Sequence, residues 1–203
     1  MTTSVQKHFE LTSESKVDSF GGTLFRVRLT IDCKWGKAGD LGGWVRKDEN
    51  IQGFAWVSDN ARVYGNARIS DNARIYGDAR ISDNAWIYGD AQISDNARVY
   101  GNARVYGNAW IYGDARVSGN AQVYGDAWGT SPLQIQGSRH TLTECKKGFL
   151  QIGCKVYTFE EWELHFEAIG KAEGYSENQI QEYKLYIDLA VNLRSLRYGN
   201  EKI

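Results

Sequence analysis

Ala73-Arg74-Ile75-Tyr76-Gly77-Asp78-Ala79-Arg80-Ile81-Ser82-Asp83-Asn84 holds two copies of a six-residue phrase that runs twelve times without a break from Ala55 to Asp126. Its form is Ala, then Arg, Trp or Gln, then Val or Ile, then Tyr or Ser, then Gly or Asp, then Asn or Asp. A strict short period marks a stack of near-identical units, so repeat architecture governs everything else. Positions 57, 63, 69 and onward to 123 are always Val or Ile, and the residue two before each is always Ala. Residues two apart in a strand share a face, so Ala and Val/Ile point inward while the residues flanking Val/Ile point outward. The last pair of the phrase is turn chemistry, because Gly, Asn and Asp tolerate left-handed backbone angles. Each hexad is therefore a short strand plus a corner. Burying one Val or Ile is worth roughly 1.5–3 kcal/mol, too little to hold one hexad, so only stacking builds a continuous core. Strict alternation also suits an antiparallel sheet, but strands this short with corners of invariant length favour a solenoid. Twelve copies of a few residue types leave little room for a unique catalytic constellation.

Val63-Tyr64-Gly65-Asn66-Ala67-Arg68 resembles the hexapeptide-repeat pattern of left-handed parallel β-helices, an aliphatic residue followed four positions later by a small one. The resemblance implies a mainly β fold, a single-stranded left-handed parallel β-helix shaped as a triangular prism with three hexads in each coil. The twelve intact hexads then make four coils, and degenerate hexads at Val45, Ile51, Gly129 and Ile135 keep the register and extend the count toward six. Gly36-Lys37-Ala38-Gly39-Asp40-Leu41-Gly42-Gly43-Trp44-Val45 before the repeats and Ile135-Gln136-Gly137-Ser138-Arg139-His140 after them resemble small hexapeptide-repeat proteins of bacterial prophages and phages. That resemblance runs from about residue 23 onward and implies no particular activity. The Tyr or Ser after the aliphatic residue departs from the acyltransferase branch of the fold, which usually has a small or acidic residue there.

The 203 residues suit one elongated domain or two small ones, divided here as an N-terminal segment and β cap (1–48), the β-helix (49–137) and a C-terminal module (138–203). Residues 23–31 alternate well enough for a strand that closes the first coil, since an open solenoid end invites polymerisation. Pro132 marks the exit. Thr141–Lys146 and Phe149–Cys154 predict a hairpin over Lys147-Gly148, in a register that sets Cys145 opposite Leu150 and leaves Cys154 near His140. Thr158 with Glu161 is a capping box opening a helix to about Ala168, and Ser176 with Gln179 opens a second that ends before Gly199. Ile180, Tyr183, Ile187, Ala190, Val191 and Leu196 form one stripe on that helix. The two helices are expected to cap the prism or to mediate self-association.

Formal net charge is −1 and evenly spread, with 8 basic against 7 acidic residues in 1–54, 7 against 8 in 55–128 and 9 against 10 in 139–203. This predicts neither an unspecific polyanion binder nor an acidic DNA mimic. Met1 to Lys16 is polar with no apolar core of signal-peptide length, and no stretch approaches a membrane span. Cys33, Cys145 and Cys154 lack framework spacing, so a protein of the bacterial cytoplasm is expected.

With three hexads per coil the outward residues fall into three columns. The first carries Arg62, Arg80, Arg98 and Arg116 beside Tyr64, Ser82, Tyr100 and Ser118. The second carries Trp56, Arg74, Gln92, Trp110 and Trp128 with Tyr76 and Tyr112, and the third Arg68, Trp86, Arg104 and Gln122 with Tyr88, Tyr106 and Tyr124. The arginine ladder suits a phosphate-bearing or other anionic ligand, a nucleotide or nucleic acid being less favoured. The competing expectation is self-neutralisation by the corner acids Asp59, Asp78, Asp95 and Asp114. Exposed aromatic rows mark interfaces, which predicts a homotrimer or dimer or a host-protein contact; the alternative is that the rings lie flat over neighbouring rungs.

Acyltransferases of this fold use a histidine base, and its carbonic anhydrases use three zinc-binding histidines. Here His8, His140 and His165 all lie outside the intact coils, so neither a catalytic residue nor a metal or other cofactor is expected. His140 is the one candidate base, with Cys154 as a conceivable nucleophile beside it. The expected function is a non-enzymatic binding scaffold, an accessory phage protein that blocks a host protein, such as a defence component, or sequesters an anion. The alternatives are an acyltransferase-like enzyme using His140 and a structural protein of a phage particle.

Overall fold

In the computed structural model, which describes residues 7–18 and 21–198, each of the twelve hexads forms a strand of two or three residues over its second and third positions. Hexads three apart pair in parallel, Arg62 on Arg80 and Val57 on Ile75, so one coil is 18 residues long. By contacts the chain divides into two units, residues 1–120 with 124–131, and residues 132–203 with 121–123. The first unit holds the coils. Its first sheet stacks β3 (Leu41–Val45), β5 (Arg62–Val63), β8 (Arg80–Ile81), β11 (Arg98–Val99) and β14 (Arg116–Val117). Its second stacks β4 (Trp56–Val57), β7 (Arg74–Ile75), β10 (Gln92–Ile93), β13 (Trp110–Ile111) and β16 (Ala127–Trp128). The third face holds β6 (Arg68–Ile69), β9 (Trp86–Ile87) and β12 (Arg104–Tyr106), and β15 (Gln122–Tyr124) carries the last intact hexad. The result is the expected parallel β-helix, of about five coils. Every inward Ala and Val/Ile of the repeat is at most 1% exposed.

The corners explain the fifth position of the hexad. Asp59, Asp71, Asp83 and Asp95 all have φ between 55° and 59°, and each carboxylate accepts the amide of a glycine one coil on. Gly77, Gly89, Gly101 and Gly113 donate these bonds at 2.9–3.0 Å. Glycine follows each of these aspartates one coil on, although glycine also follows glycine farther along two corners, as at Gly89 and Gly107 or Gly101 and Gly119. A Cβ on Gly77 (φ 67°) would stand 2.8 Å from the backbone nitrogen of Asp95 in the next coil. At the sixth position Asn66, Asn84, Asn102 and Asn120 run a side-chain ladder of hydrogen bonds at 3.1–3.4 Å.

At the N-terminal end, β1 (Phe9–Val17) and β2 (Thr23–Leu29) form an antiparallel hairpin that adds to the first sheet through β3. The strand expected over 23–31 is β2, with Leu24, Val27 and Leu29 buried; β1 is an additional strand in a segment whose polarity concealed it. Gly42 makes the junction possible, since a Cβ there would lie 2.5 Å from both Val27 Cγ2 and the carbonyl oxygen of Val57. Val45 and Ile51 continue the inward stack by pairing with Val63 and Ile69.

The other two degenerate hexads do not continue it. Trp110 pairs with Ala127 and Ile111 with Trp128, one residue out of the period, so Trp128 rather than Gly129 occupies the inward place, 2% exposed. A glycine there would leave a void under Ile111, and close packing favours the slip that fills it. Ile135 lies instead on β17 (Gln134–Gln136), antiparallel to β18 (Thr141–Lys146).

In the second unit, β17, β18, β19 (Phe149–Ile152) and β20 (Lys155–Thr158) form a four-stranded antiparallel meander, two strands larger than the expected hairpin. Lys146 pairs with Phe149 as expected, but Cys145 is bulged and Glu144 faces Leu150, which corrects the register by one. The helices α1 (Phe159–Ala172) and α2 (Glu177–Tyr198) follow. The Thr158–Glu161 capping box is formed, and α1 runs four residues beyond Ala168. Ser176 and Gln179 exchange the same pair of bonds. Ile180, Tyr183, Ile187 and Ala190 are buried, with Leu142, Leu150, Phe159 and Trp162 completing the core beside the last three. Leu196 leaves the predicted stripe, at 82% exposure. No helix among the described residues is long and apolar enough to cross a membrane.

Candidate functional site

In-register pairing of β5, β8, β11 and β14 places Arg62, Arg80, Arg98 and Arg116 one above another, about 4.7–4.9 Å apart at the backbone. Like charges at that spacing repel by roughly 1 kcal/mol per adjacent pair even in a water-like dielectric. Among the described residues, none of the four has a carboxylate oxygen within 4.0 Å of its guanidinium nitrogens. The self-neutralised ladder that the corner acids suggested is therefore not formed. Asp59 and Asp95 are held by the amides of Gly77 and Gly113. Asp83 borders the arginines, but its carboxylate accepts from Gly101 N at 2.9 Å and the Ser82 hydroxyl at 3.4 Å. An open groove lined by Arg46, Tyr64, Arg80, Ser82, Arg98 and Tyr100, and continuing to Arg116, runs along this face.

The hairpin lengthens the cationic row. Trp44 occupies the rung before Arg62, with Lys16 Nζ 3.9 Å and the Arg26 guanidinium 5.1 Å from its ring centroid. Burial, then the neighbouring charges of Arg62 and Arg26, lower the Lys16 pKa to about 8, against the smaller opposing pull of Asp78 and Glu14. Arg26 also meets Glu14 at 3.6 Å, and Arg46 is paired with the buried carboxylate of Asp18 at 2.6 Å. Lys16 and Arg26 were outside the sequence-level candidates; the alternation of Leu24, Arg26 and Arg28 about a buried Val27 is broken by a register shift that hides which side they face.

The aromatic faces divide. Trp56 and Trp128 are 4% and 2% exposed and are not surface residues. Trp56 lies beneath His8, whose Nε2 is 3.0 Å from the Ala55 carbonyl and whose pKa burial lowers. Trp86 and Trp110 remain 39% and 41% exposed, but each indole donates to a serine of the preceding coil, Ser70 at 3.4 Å and Ser94 at 3.1 Å. They lean on Tyr88 and Tyr112, with centroids at 4.6 and 4.8 Å. Tyr88, Tyr106 and Tyr124 stack in succession at 5.0 and 5.2 Å. The Arg74 guanidinium covers Tyr76 at 4.6 Å. Tyr88, Tyr106 and Tyr124 thus lie over neighbouring rungs, whereas Trp86 and Trp110 are tilted against the tyrosine of their own rung.

In the second unit, His140 and Cys154 border one apolar cleft with Glu173, Tyr175 and Tyr183. The Tyr183 hydroxyl clamps the backbone at His140, accepting from its amide at 2.5 Å and donating to its carbonyl at 2.6 Å. Cys154 is exposed and Cys145 is buried, and neither is in a disulfide. Lys155 and Glu173 form an ion pair across the rim at 3.0 Å. Burial raises the Tyr175 pKa to about 12. Among the described residues no three His, Cys, Asp or Glu side chains converge as metal ligands would.

The repeat itself has a counterpart among known families. A family model described as the YdcK beta solenoid repeat matches residues 55–71, 67–79, 73–89, 91–107, 97–113 and 109–125. No curated protein matches the chain. The match lies wholly within the intact hexads, so the chain is similar to the YdcK solenoid in the segment that forms its coils.

Proposed function

We propose that this β-solenoid is a non-enzymatic binding scaffold whose first face takes an anionic partner. The observation that carries the reading is the stack of Arg62, Arg80, Arg98 and Arg116 with no carboxylate partner among the described residues. On the other two faces no arginine stands on another: Arg68, Trp86 and Arg104 interleave, as do Trp56, Arg74 and Gln92. Guanidinium groups bind planar anions bidentately, so an anion relieves the repulsion that the stack otherwise retains. Of the finer roles, an accessory protein that sequesters an anionic ligand fits this face better than one that blocks a host protein through its aromatics, whose rings are engaged within the chain. The flanks that resemble prophage proteins support the accessory setting.

The test is retention on an immobilised polyanion in rising salt, comparing the protein with Arg80→Glu/Arg98→Glu. Salt-sensitive retention that the double variant loses, with an unchanged melting temperature, is the expected result. Equal retention of both proteins would refute the reading.

A second reading, self-association, is favoured by α2, where Leu185, Leu189 and Leu196 are 67%, 47% and 82% exposed on the side away from the core. Light scattering of the protein and of Leu189→Asp reads it directly: a single subunit in both would dismiss it. An acyltransferase-like use of His140 is weaker, because the cleft at His140 is apolar and its thiol neighbour Cys154 is exposed. His140→Ala is expected to leave anion binding intact.

A further inference from the structure

We infer that the anionic partner is a linear acidic polysaccharide, with one carboxylate on each sugar, lying along the solenoid axis over the arginine ladder. This rests on the anion-binding scaffold proposed above and names the chemistry of its ligand.

Three features of the first face select the class. The arginines recur once per coil in strict register, at about 4.7–4.9 Å. That interval is close to the advance of one pyranose along an extended 1,4-linked chain, so the sugars keep step with the rungs; in a two-fold chain the carboxylates face the ladder at every second sugar, and each of these lies between two guanidinium groups. The residue beside each arginine alternates, Tyr64, Ser82, Tyr100, Ser118, so the tyrosines stand two rungs apart. In an extended chain with two sugars per turn, the same face of the ring returns at every second sugar. An aromatic on every second rung stacks on that recurring face, and the serine between offers a hydroxyl to the sugar turned the other way. The groove lined by Tyr64, Arg80, Ser82, Arg98, Tyr100 and Arg116 is open, which suits the interior of a polymer rather than a chain end.

Other polyanions match less well. An acidic peptide strand sets same-side carboxylates two residues apart, about 6.6–6.8 Å, and drifts by roughly 2 Å per rung. Single-stranded nucleic acid is held by aromatic platforms for successive bases, whereas alternate rungs here carry serine. Linear polyphosphate has charge in excess of the ladder and no apolar face for Tyr64 or Tyr100. The carboxylate of Asp83 in the groove, bonded to Gly101 N, repels a ligand charged at every point but accepts a hydrogen bond from a sugar hydroxyl.

Calorimetry on the whole chain tests this with 1,4-linked mannuronate oligomers from disaccharide to octasaccharide, a sulfated glucan, linear polyphosphate, oligo-dT and a Glu-rich peptide matched in charge. Affinity for the uronate is expected to rise with length until the oligomer spans the arginine rungs and then level. Tyr100→Ser places at that rung the residue its neighbours Ser82 and Ser118 already carry, so the coil is retained; it is expected to weaken uronate binding about tenfold and leave polyphosphate unaffected. Equal binding of all charge-matched probes, preference for the sulfated glucan, the nucleic acid, the peptide or polyphosphate, or indifference to Tyr100→Ser would overturn the carboxylated polysaccharide while leaving an anion-binding scaffold. Failure of every probe would overturn both.

Discussion

The first and third faces of the coil stack are built on the same inner residues and the same corners, yet their outer rows behave differently. On the third face cation and ring alternate, so that Arg104 lies 5.9 Å from the Trp86 centroid and Trp86 in turn reaches Ser70. On the first face arginine stands on arginine through four coils. Since both faces pair equally well, the backbone ladder, the buried Ala and Val/Ile and the corner carboxylates suffice to hold the coils. The outer row is then free to carry charge that the coils do not need, and the cations that accumulate there without carboxylate partners are the basis of the proposed anion binding.

That contrast is broken first by exchanging inner and outer positions. Ile93→Ala, in the middle of the stack and fully buried, is expected to cost about 2–5 kcal/mol, whereas Arg98→Gln on the exposed row relieves repulsion from two neighbours and is expected to stabilise by up to about 1–2 kcal/mol at low salt. Denaturant titration measures both, and comparable losses would mean that the arginine row is structural. Next come the corners. Gly77→Ala puts a Cβ at positive φ against the Asp95 backbone, and a loss of about 1–3 kcal/mol is expected; an unchanged midpoint would show that the corner relaxes and that glycine is not required beside Asp95.

The faces themselves are compared by paired reversals. Arg80→Glu/Arg98→Glu should weaken polyanion binding by at least about tenfold, while Arg68→Glu/Arg104→Glu on the third face changes it by less than about twofold. Equal losses would reduce the binding to overall charge. The smallest effect concerns Lys16. Its pKa in the folded protein, about 8, lies below the ordinary 10.5, first through burial and then through Arg62 and Arg26. Between those values the unfolded chain holds a proton that the folded chain lacks, so stability contributed at this site rises with pH across the window and is lowest below it. Melting temperatures followed from pH 8 to pH 10.5 should rise more in the parent than in Lys16→Met. A bound polyanion should return the Lys16 pKa toward its ordinary value, with proton uptake near pH 8–9 as the calorimetric signature.

Much of this fold was legible from the period. Val57 through Val123 needed no distant information, because each hexad repeats the same local choice of inward and turn residues. The polar strand β1 was not, since its sequence Phe9-Glu10-Leu11-Thr12-Ser13-Glu14-Ser15-Lys16-Val17 offers few apolar residues and gains its place by pairing with β2. Trp128 was misplaced by one residue because the period put Gly129 inward, and only the space beneath Ile111 decides against it. At the candidate site the four arginines were identified in order and in register. Their lack of acid partners was not legible, for Asp59 and Asp95 stand near them in sequence and are drawn instead to amides of the next coil.

The hexad dictated the buried columns, and together with the three-hexad coil that the β-helix resemblance implies it set which outer residues share a face, because the side-chain alternation repeats without exception. Tertiary structure decided where the stack ends, that Trp56 and Trp128 are interior, that Lys16 and Arg26 extend the cationic row over Trp44, and that the carboxylates of Asp59 and Asp95 are bonded to glycine amides of the next coil. Those outcomes depend on volumes and distances between residues one coil or more apart, which no local period encodes.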